Sequence, residues 1–148
     1  MEAGTAQAAT ATTTFQVTAT VLKVCLVSAT DLSFGGYDPT SATPLDAANT
    51  VTVTCTIGTP YNVGLDKGSG ATATVTSREM AFSGNILNYS LYQEAGRTTV
   101  WGNTIGTDTV SATAVLPPTV HNVYGRVFSG QNVPVGGYSG TINVTVTY

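Results

Sequence analysis

At 148 residues the chain fits one domain, which can bury roughly 70% of the surface its unfolded form exposes, so a real core is available. Hydrophobic residues make up 42% and charged residues only 9%, against roughly 25% charged in an average soluble protein, so something other than charge must cover the surface. With a net charge of −3 there is no basic surface for phosphates or anionic lipid heads, and no apolar run nears the roughly 20 residues of a membrane helix; nucleic-acid binding and membrane insertion drop out.

The first residues are Ala/Thr-rich, and Ala6-Gln7-Ala8 followed by Ala9 has the small-x-small form of a signal-peptidase site. The charged and apolar parts of such a leader do not precede it. Two readings stand: residues 1–8 as a leader remnant or addition ahead of the mature chain, or an unstructured tail. From Phe15 the sequence alternates, with Phe15, Val17, Ala19 and Val21 on one side and Gln16, Thr18 and Thr20 on the other, which predicts a strand with one dry face. The run Val21-Leu22-Lys23-Val24-Cys25-Leu26-Val27 is then continuous and predicts a bulge or a change of sheet before the strand ends near Ser28.

A short strand is expected at Leu32-Ser33-Phe34, then a loop through Gly35-Gly36-Tyr37-Asp38-Pro39 and Pro44 to Asn49. Threonine supplies the uncharged surface from there: Thr50, Thr52, Thr54 and Thr56 alternate with Val51, Val53, Cys55 and Ile57. It is β-branched and fits a pleated sheet. Further strands are predicted at 50–56, 61–66, 71–76, 86–93, 98–101, 107–116, 123–128 and 141–148, separated by Gly/Pro turns, and no helical stripe interrupts them. Short strands at this spacing read as an all-β sandwich.

The two cysteines, Cys25 and Cys55, each lie in a strand pattern. Sequence alone does not prove that they pair, but zinc would need more ligands and a thiol nucleophile would need a base, and His121 sits in no local motif. Pairing is the favoured reading; it would close a loop of ~30 residues and place the protein in an oxidising compartment outside the cytoplasm.

The two ends carry the most information. Ile142, Val144, Val146 and Tyr148 alternate with Thr141, Asn143, Thr145 and Thr147, an amphipathic strand with little charge or proline nearby to blunt its edge, so another chain is expected to cover it. Ala9 to Thr14 is uncharged and β-prone, suited to pairing along an edge in trans. A donor and a needy edge in one molecule make a head-to-tail contact that propagates into fibres.

Over roughly residues 15–148 the chain resembles the spore coat protein U domain family, whose members include pilins of archaic chaperone–usher pili. The carriers are the stretch from Phe15 to Cys25, Leu32-Ser33-Phe34-Gly35-Gly36-Tyr37-Asp38-Pro39, Val51-Thr52-Val53-Thr54-Cys55-Thr56, Tyr61 to Gly68, Arg78-Glu79-Met80, Leu87 to Tyr92, Val123 to Val127 and Gly137 to Val146. Their order and spacing are specific, while no single piece is diagnostic; Gly140 departs from the acidic residue many relatives carry there. The resemblance implies an immunoglobulin-like β-sandwich that is incomplete, missing its last strand, and is completed by a donor strand from a neighbouring subunit. It further implies a structural Cys25–Cys55 disulfide and a donor segment near Ala9–Val17, with Phe15 and Val17 as anchors and Ala9, Ala11 and Thr13 as small positions. Ile142, Val144, Val146 and Tyr148 form the acceptor edge. Residues 1–14 are then leader remnant and donor, and residues 15–148 the sandwich domain.

The implied function is that of a structural pilus subunit exported through the periplasm to the cell surface, polymerising by donor-strand exchange for adhesion and biofilm formation. Its implied partners are copies of itself, a periplasmic chaperone and an outer-membrane usher. The alternatives are a spore or cell-coat protein of the same fold and a carbohydrate-binding adhesin module. No enzymatic activity, metal or cofactor is expected, because no acid/base pair, nucleophile site or ligand cluster is visible. Arg78-Glu79-Met80 reads as a surface ion pair beside a core methionine, Trp101, Tyr89 and Tyr92 as packing rather than a sugar-stacking face, Asp66-Lys67-Gly68 as a turn, and Asp31, Asp38, Asp46 and Asp108 as turn formers. His121 reads as a loop or strand-entry residue.

Overall fold

Every-second-residue apolar patterning puts one dry face on each strand, and the computed structural model, which describes Gly4 and residues 7–148, folds these faces together. The strands are β1 (Cys25–Ala29), β2 (Leu45–Cys55), β3 (Pro60–Leu65), β4 (Arg78–Phe82), β5 (Asn85–Tyr92), β6 (Val110–Thr113), β7 (Thr119–Val127) and β8 (Val144–Thr147), and none of the described residues is helical. A five-stranded sheet in the order β1-β2-β7-β5-β4 faces a three-stranded sheet in the order β6-β3-β8. All pairings are antiparallel.

Between the sheets, Val51, Val53 and Cys55 of β2, Leu87, Tyr89 and Leu91 of β5, and Val123 and Val127 of β7 meet Tyr61, Val63 and Leu65 of β3. Trp101 fills the middle and donates its indole N–H to the Val63 carbonyl at 2.9 Å. Gly125 interrupts this face of β7 for a steric reason: a Cβ there would lie 2.7 Å from a Leu32 methyl and 2.8 Å from the Phe34 ring. The chain leaving β1 can therefore lay Leu32 and Phe34 flat on the sheet.

Arg78 of β4 is wholly buried, at 0% exposure. Its guanidinium donates to the carbonyls of Asp66 at 2.9 Å, Val75 at 2.6 Å, Leu65 at 3.1 Å and Trp101 at 2.6 Å. Burial pushes its pKa down to about 10, so it stays protonated at neutral pH. A cation on the large sheet thus gathers backbone carbonyls from the end of β3 and from the Trp101 segment. The expectation of a surface ion pair is corrected here: Arg78 and Glu79 are both buried, and Glu79 accepts from the Thr72 hydroxyl instead.

Cys25 and Cys55 sit directly opposite one another in the β1–β2 register and form a disulfide that closes a separation of 30 residues. Other sequence expectations shift. The alternating stretch Phe15–Val21 forms no strand, because none of the described residues pairs with it. Strand pattern at 71–76 and 98–101 is spent in turns and a single bridge, Tyr92 to Val100. The short strand expected at Leu32–Phe34 is instead the irregular segment lying over Gly125. β4 was not expected, since its Arg-Glu start reads as surface. β2 begins at Leu45, five residues before the valine pattern, by pairing with β7. Of the small-x-small leader motif, Ala6 lies outside the described residues.

Two measurements follow. Replacing both Cys25 and Cys55 by Ala should cost about 3–4 kcal/mol by the loop-closure argument, read as a lower urea midpoint. Arg78→Met strands several buried carbonyls without a donor and should cost ~3 kcal/mol or more, while Arg78→Lys, which keeps the charge but not the fork, should fall between the two.

Candidate functional site

Two strands at the margins of the sandwich have one free edge each. β1 pairs only with β2, and β8 pairs only with β3, among the described residues. β1 and β8 approach each other across the gap between the sheets, with Cα atoms within 8 Å. An unmade row of N–H and C=O groups on an uncharged edge is a template for another strand.

The side chains beside this gap lack cover. Val27 of β1 is paired with Val53 of β2 and so points to the same, inner face. Yet Val53 is 1% exposed and Val27 42%. The next inner position along β1, Ala29, is likewise exposed. What is missing is apolar matter on the β1 side, not a change of direction.

Beyond the ends of β1 and β8 the gap widens into a cleft of about 940 Å³. One wall is the segment carrying Leu32 and Phe34, and the other is the approach to β8, with Val133, Tyr138, Ile142 and Val144. Its floor is the core itself, reaching Val51, Leu65, Leu87, Tyr89, Val123 and Val127. A cleft that opens onto side chains otherwise shut away from water is a groove for something apolar and elongated.

The residues before β1 have the complementary property. Ala9, Ala11, Thr13, Phe15 and Val17 are all exposed, as are Ala19, Val21 and Leu22, with Phe15 at 84%. Residues 7–24 belong to neither sheet. Thr56 pins the root of this segment: its hydroxyl donates to the Leu22 carbonyl at 2.9 Å and accepts from the Val24 amide at 3.1 Å, and its own amide donates to the Val24 carbonyl at 3.0 Å. Leu22 and Val24 are thus the points at which this segment is hydrogen-bonded to the end of β2.

Of the expected acceptor positions, Ile142 and Val144 line the cleft, and Val146 packs on the core beside it. Tyr148 lies past the end of β8, half exposed, and borders a shallow depression on the outer face of the small sheet with Pro60, Asn62 and Ser111. Leu32 and Phe34, read from sequence as part of a short strand, and Met80, read as a core methionine, line the cleft together with Val133, and none of the four was expected at the site. Trp101 and Tyr89 are core residues.

Asp38 accepts from Thr40 and Asp108 from the Thr104 amide, while Asp66 accepts from the nearby Gly68 amide and, across 77 residues, from the Asn143 amide. Arg126 forks onto Asp46 at 2.8 and 3.0 Å and holds its carboxyl below the usual range, with Arg97 in support.

His121 is no strand-entry residue. It stands inside β7 opposite Val51, edge-on to Tyr61 and Trp101, with Nε2 at 2.9 Å from the Tyr61 hydroxyl. It bridges the two sheets level with the last residue of β1, Ala29, which pairs with the same Val51.

The spore coat protein U domain model matches residues 11–145. A curated relative, Protein U of Myxococcus xanthus, is 39% identical over 158 residues, covering 97% of this chain and 88% of that protein. Among solved structures, a chain of the chaperone–tip adhesion subunit pre-assembly complex CsuC–CsuE, from the archaic chaperone–usher Csu pili of Acinetobacter baumannii, superposes with a TM-score of 0.61 at 24% identity. The alignment covers 87% of this chain and 41% of that one, so this chain spans about two-fifths of it, and the likeness speaks to the fold.

Burial lowers the pKa of His121. The unfolded chain, titrating near 6.5, then binds the proton more readily than the folded one, so stability is full above about pH 6.5 and is lost as pH falls below it. Urea midpoints between pH 7.5 and 5 should drop for the wild type and stay flat for His121→Gln.

Proposed function

The chain belongs to the spore coat protein U domain family, and on that premise we propose that it is a structural pilus subunit that polymerises by donor-strand exchange. Each copy leaves a groove between β1 and β8, and each carries an exposed segment of the right pattern to fill the groove of another. The observation that carries this reading is the exposure of Val27 on an inner face whose neighbour Val53 is sealed.

The donor is the uncharged stretch Ala9 to Val21. Its alternation offers Ala9, Ala11, Thr13, Phe15 and Val17 to the groove, and the free stretch extends that face through Ala19 and Val21. The domain proper then begins near Leu22.

Strand direction distinguishes exchange from self-insertion. β8 runs toward the end of the sandwich where β1 starts, because Val144 pairs with Leu65 and Thr147 with Asn62, while Pro60 follows the turn after Cys55. A segment rooted at that end and folded back into its own groove would run parallel to β8. Supplied by another copy, it can run antiparallel to β8, like every other pair in the small sheet, and then lies parallel to β1. The contact is head-to-tail and does not close.

Until another copy arrives, the groove needs a temporary strand. A periplasmic chaperone would supply it and an outer-membrane usher would pass the subunit outward, so that fibres supporting adhesion and biofilm formation form at the cell surface. The role is mechanical, with no catalytic step. The family's coat members give the second reading: the same polymer laid down as a spore or cell coat, which immunogold imaging of intact cells separates from fibres.

The test compares the full chain with a variant beginning at Lys23. The full chain should show filaments by electron microscopy and a ladder in unheated SDS gels that collapses on boiling; the shortened chain should run as monomer. A synthetic peptide of Ala9 to Val21 added at 100 times its Kd should raise the shortened variant's stability by about 2.7 kcal/mol. Ladders that persist without the N-terminal segment, or a monodisperse monomer in both proteins, would overturn the proposal.

A further inference from the structure

Apolar surface is gathered at both ends of the sandwich. At the end where β1 begins, the turn after β2 exposes Ile57, and the loop between β6 and β7 exposes Val115 and Leu116. These two loops are tied together, the Gly58 amide donating to the Ala114 carbonyl at 2.7 Å and the Ala114 amide to the Thr59 carbonyl at 2.9 Å. This is also where Thr56 holds the root of the N-terminal segment. At the opposite end, the β4–β5 turn and the loop beside it expose Phe82 and Ile86, and Val135 at 98%. The Ala81 and Ser139 backbones pair there and keep that loop against β4. None of the residues 114–119, 82–86 or 133–138 is charged.

Isolated exposed apolar residues are ordinary, but clusters at two opposite ends call for an occupant. Chain reach names it. If the donor fills a neighbour's groove through Val21, only Leu22, Lys23 and Val24 remain before β1, a span of about 10 Å at ~3.3–3.6 Å per residue. If it fills the groove only through Val17, the span is still no more than about 25 Å. A donor running antiparallel to β8 enters the groove at the β1-start end and leaves at the far end. The far end of the acceptor is therefore held against the root end of the donor's own sandwich.

We propose that these two apolar ends pack against one another in consecutive subunits: Ile57, Val115 and Leu116 of one copy against Phe82, Ile86 and Val135 of the next. The contact lies beyond the donor strand, sharing only Val135 with the rim of the cleft, and sets the angle between successive sandwiches. It rests on the donor-strand reading above and adds a second interface to it. The donor strand makes the fibre continuous, and the end-to-end patch makes it regular.

The native cysteines are both bridged, so engineered thiols report cleanly. Leu116→Cys and Val135→Cys lie at opposite ends of a molecule whose β7 alone spans nine residues, about 30 Å, too far to link within one copy. Fibres of the double variant, treated with a short bis-maleimide and then boiled in SDS, should give a covalent ladder, while each single variant gives at most dimers. An unheated ladder that collapses fully to monomer after crosslinking and boiling would overturn the end-to-end contact and leave donor-strand exchange standing. Loss of the unheated ladder in the wild type would remove both. A Leu116→Ser/Ile86→Ser variant, whose positions lie outside the cleft lining, gives the second reading: its unheated ladder should match the wild type while its filaments lose regular subunit spacing in electron micrographs. Filaments of unchanged regularity would count against the contact.

Discussion

A β-sandwich buries its core only if both sheets cover it fully, and here β1 and β8 face one another with nothing between them. Everything distinctive about the molecule answers to that gap. Val27 points inward and is wet, as it would be on a sheet that awaits a further strand. The approach to β8 and the segment after β1 stand apart for the same reason, leaving the floor of Leu87, Tyr89 and Val123 at the bottom of a cleft. A row of unpaired backbone groups on both rims completes the site. An edge of this kind is usually blunted with charge, proline or a bulge. Keeping it flat and uncharged makes sense if a strand is meant to arrive.

An open sandwich must then be held by something other than its missing strand. The three devices lie on the side away from the gap or directly at its rim. Arg78 draws carbonyls from β3's end, from the Trp101 segment and from the turn before β4 onto one guanidinium. A lysine has no such fork, and a neutral side chain would strand the carbonyls. Trp101 fixes itself to Val63, the centre of the small sheet. The Cys25–Cys55 bridge ties down β1, whose only ladder is with β2. That last tie matters most at the groove, because β1 is one of its rims, and a fraying rim would leave no template for the incoming strand.

How far the sequence foretold this depends on whether the signal was local. The Val/Thr alternation of β2 and the end of the chain at β8 were legible because a period of two is a property of neighbouring residues. The same rule misplaced Phe15–Val21: its pattern is that of a strand, but a pattern cannot say in which molecule the partner lies. β4 was hidden because Arg78 looks like surface until the carbonyls of Leu65, Asp66 and Trp101 converge on it with that of nearby Val75. His121 gave no local hint, since Tyr61 and Trp101 come from elsewhere in the chain. The groove's far wall, from Leu32 and Phe34, depends on Gly125 being bare enough to be lain upon, a relation across 91 residues or more that no window reveals.

The threonine-rich composition then acquires a second meaning beyond covering a surface without charge. A donor segment must stay soluble while free and yet lose little on being ordered. Thr10, Thr12, Thr13, Thr14, Val17, Thr18, Thr20 and Val21 are β-branched, so the free segment already favours extended conformations, and less conformational freedom remains to be given up when it pairs. Its polar hydroxyls tolerate water without presenting a charge that would have to be desolvated at the groove. Register is set by the other face: a slip of one residue would bring Gln16, Thr18 and Thr20 inward in place of Phe15, Val17, Ala19 and Val21. In the donor role proposed above, the large side chains Phe15 and Val17 would set the alignment while the threonines keep the segment ready to pair.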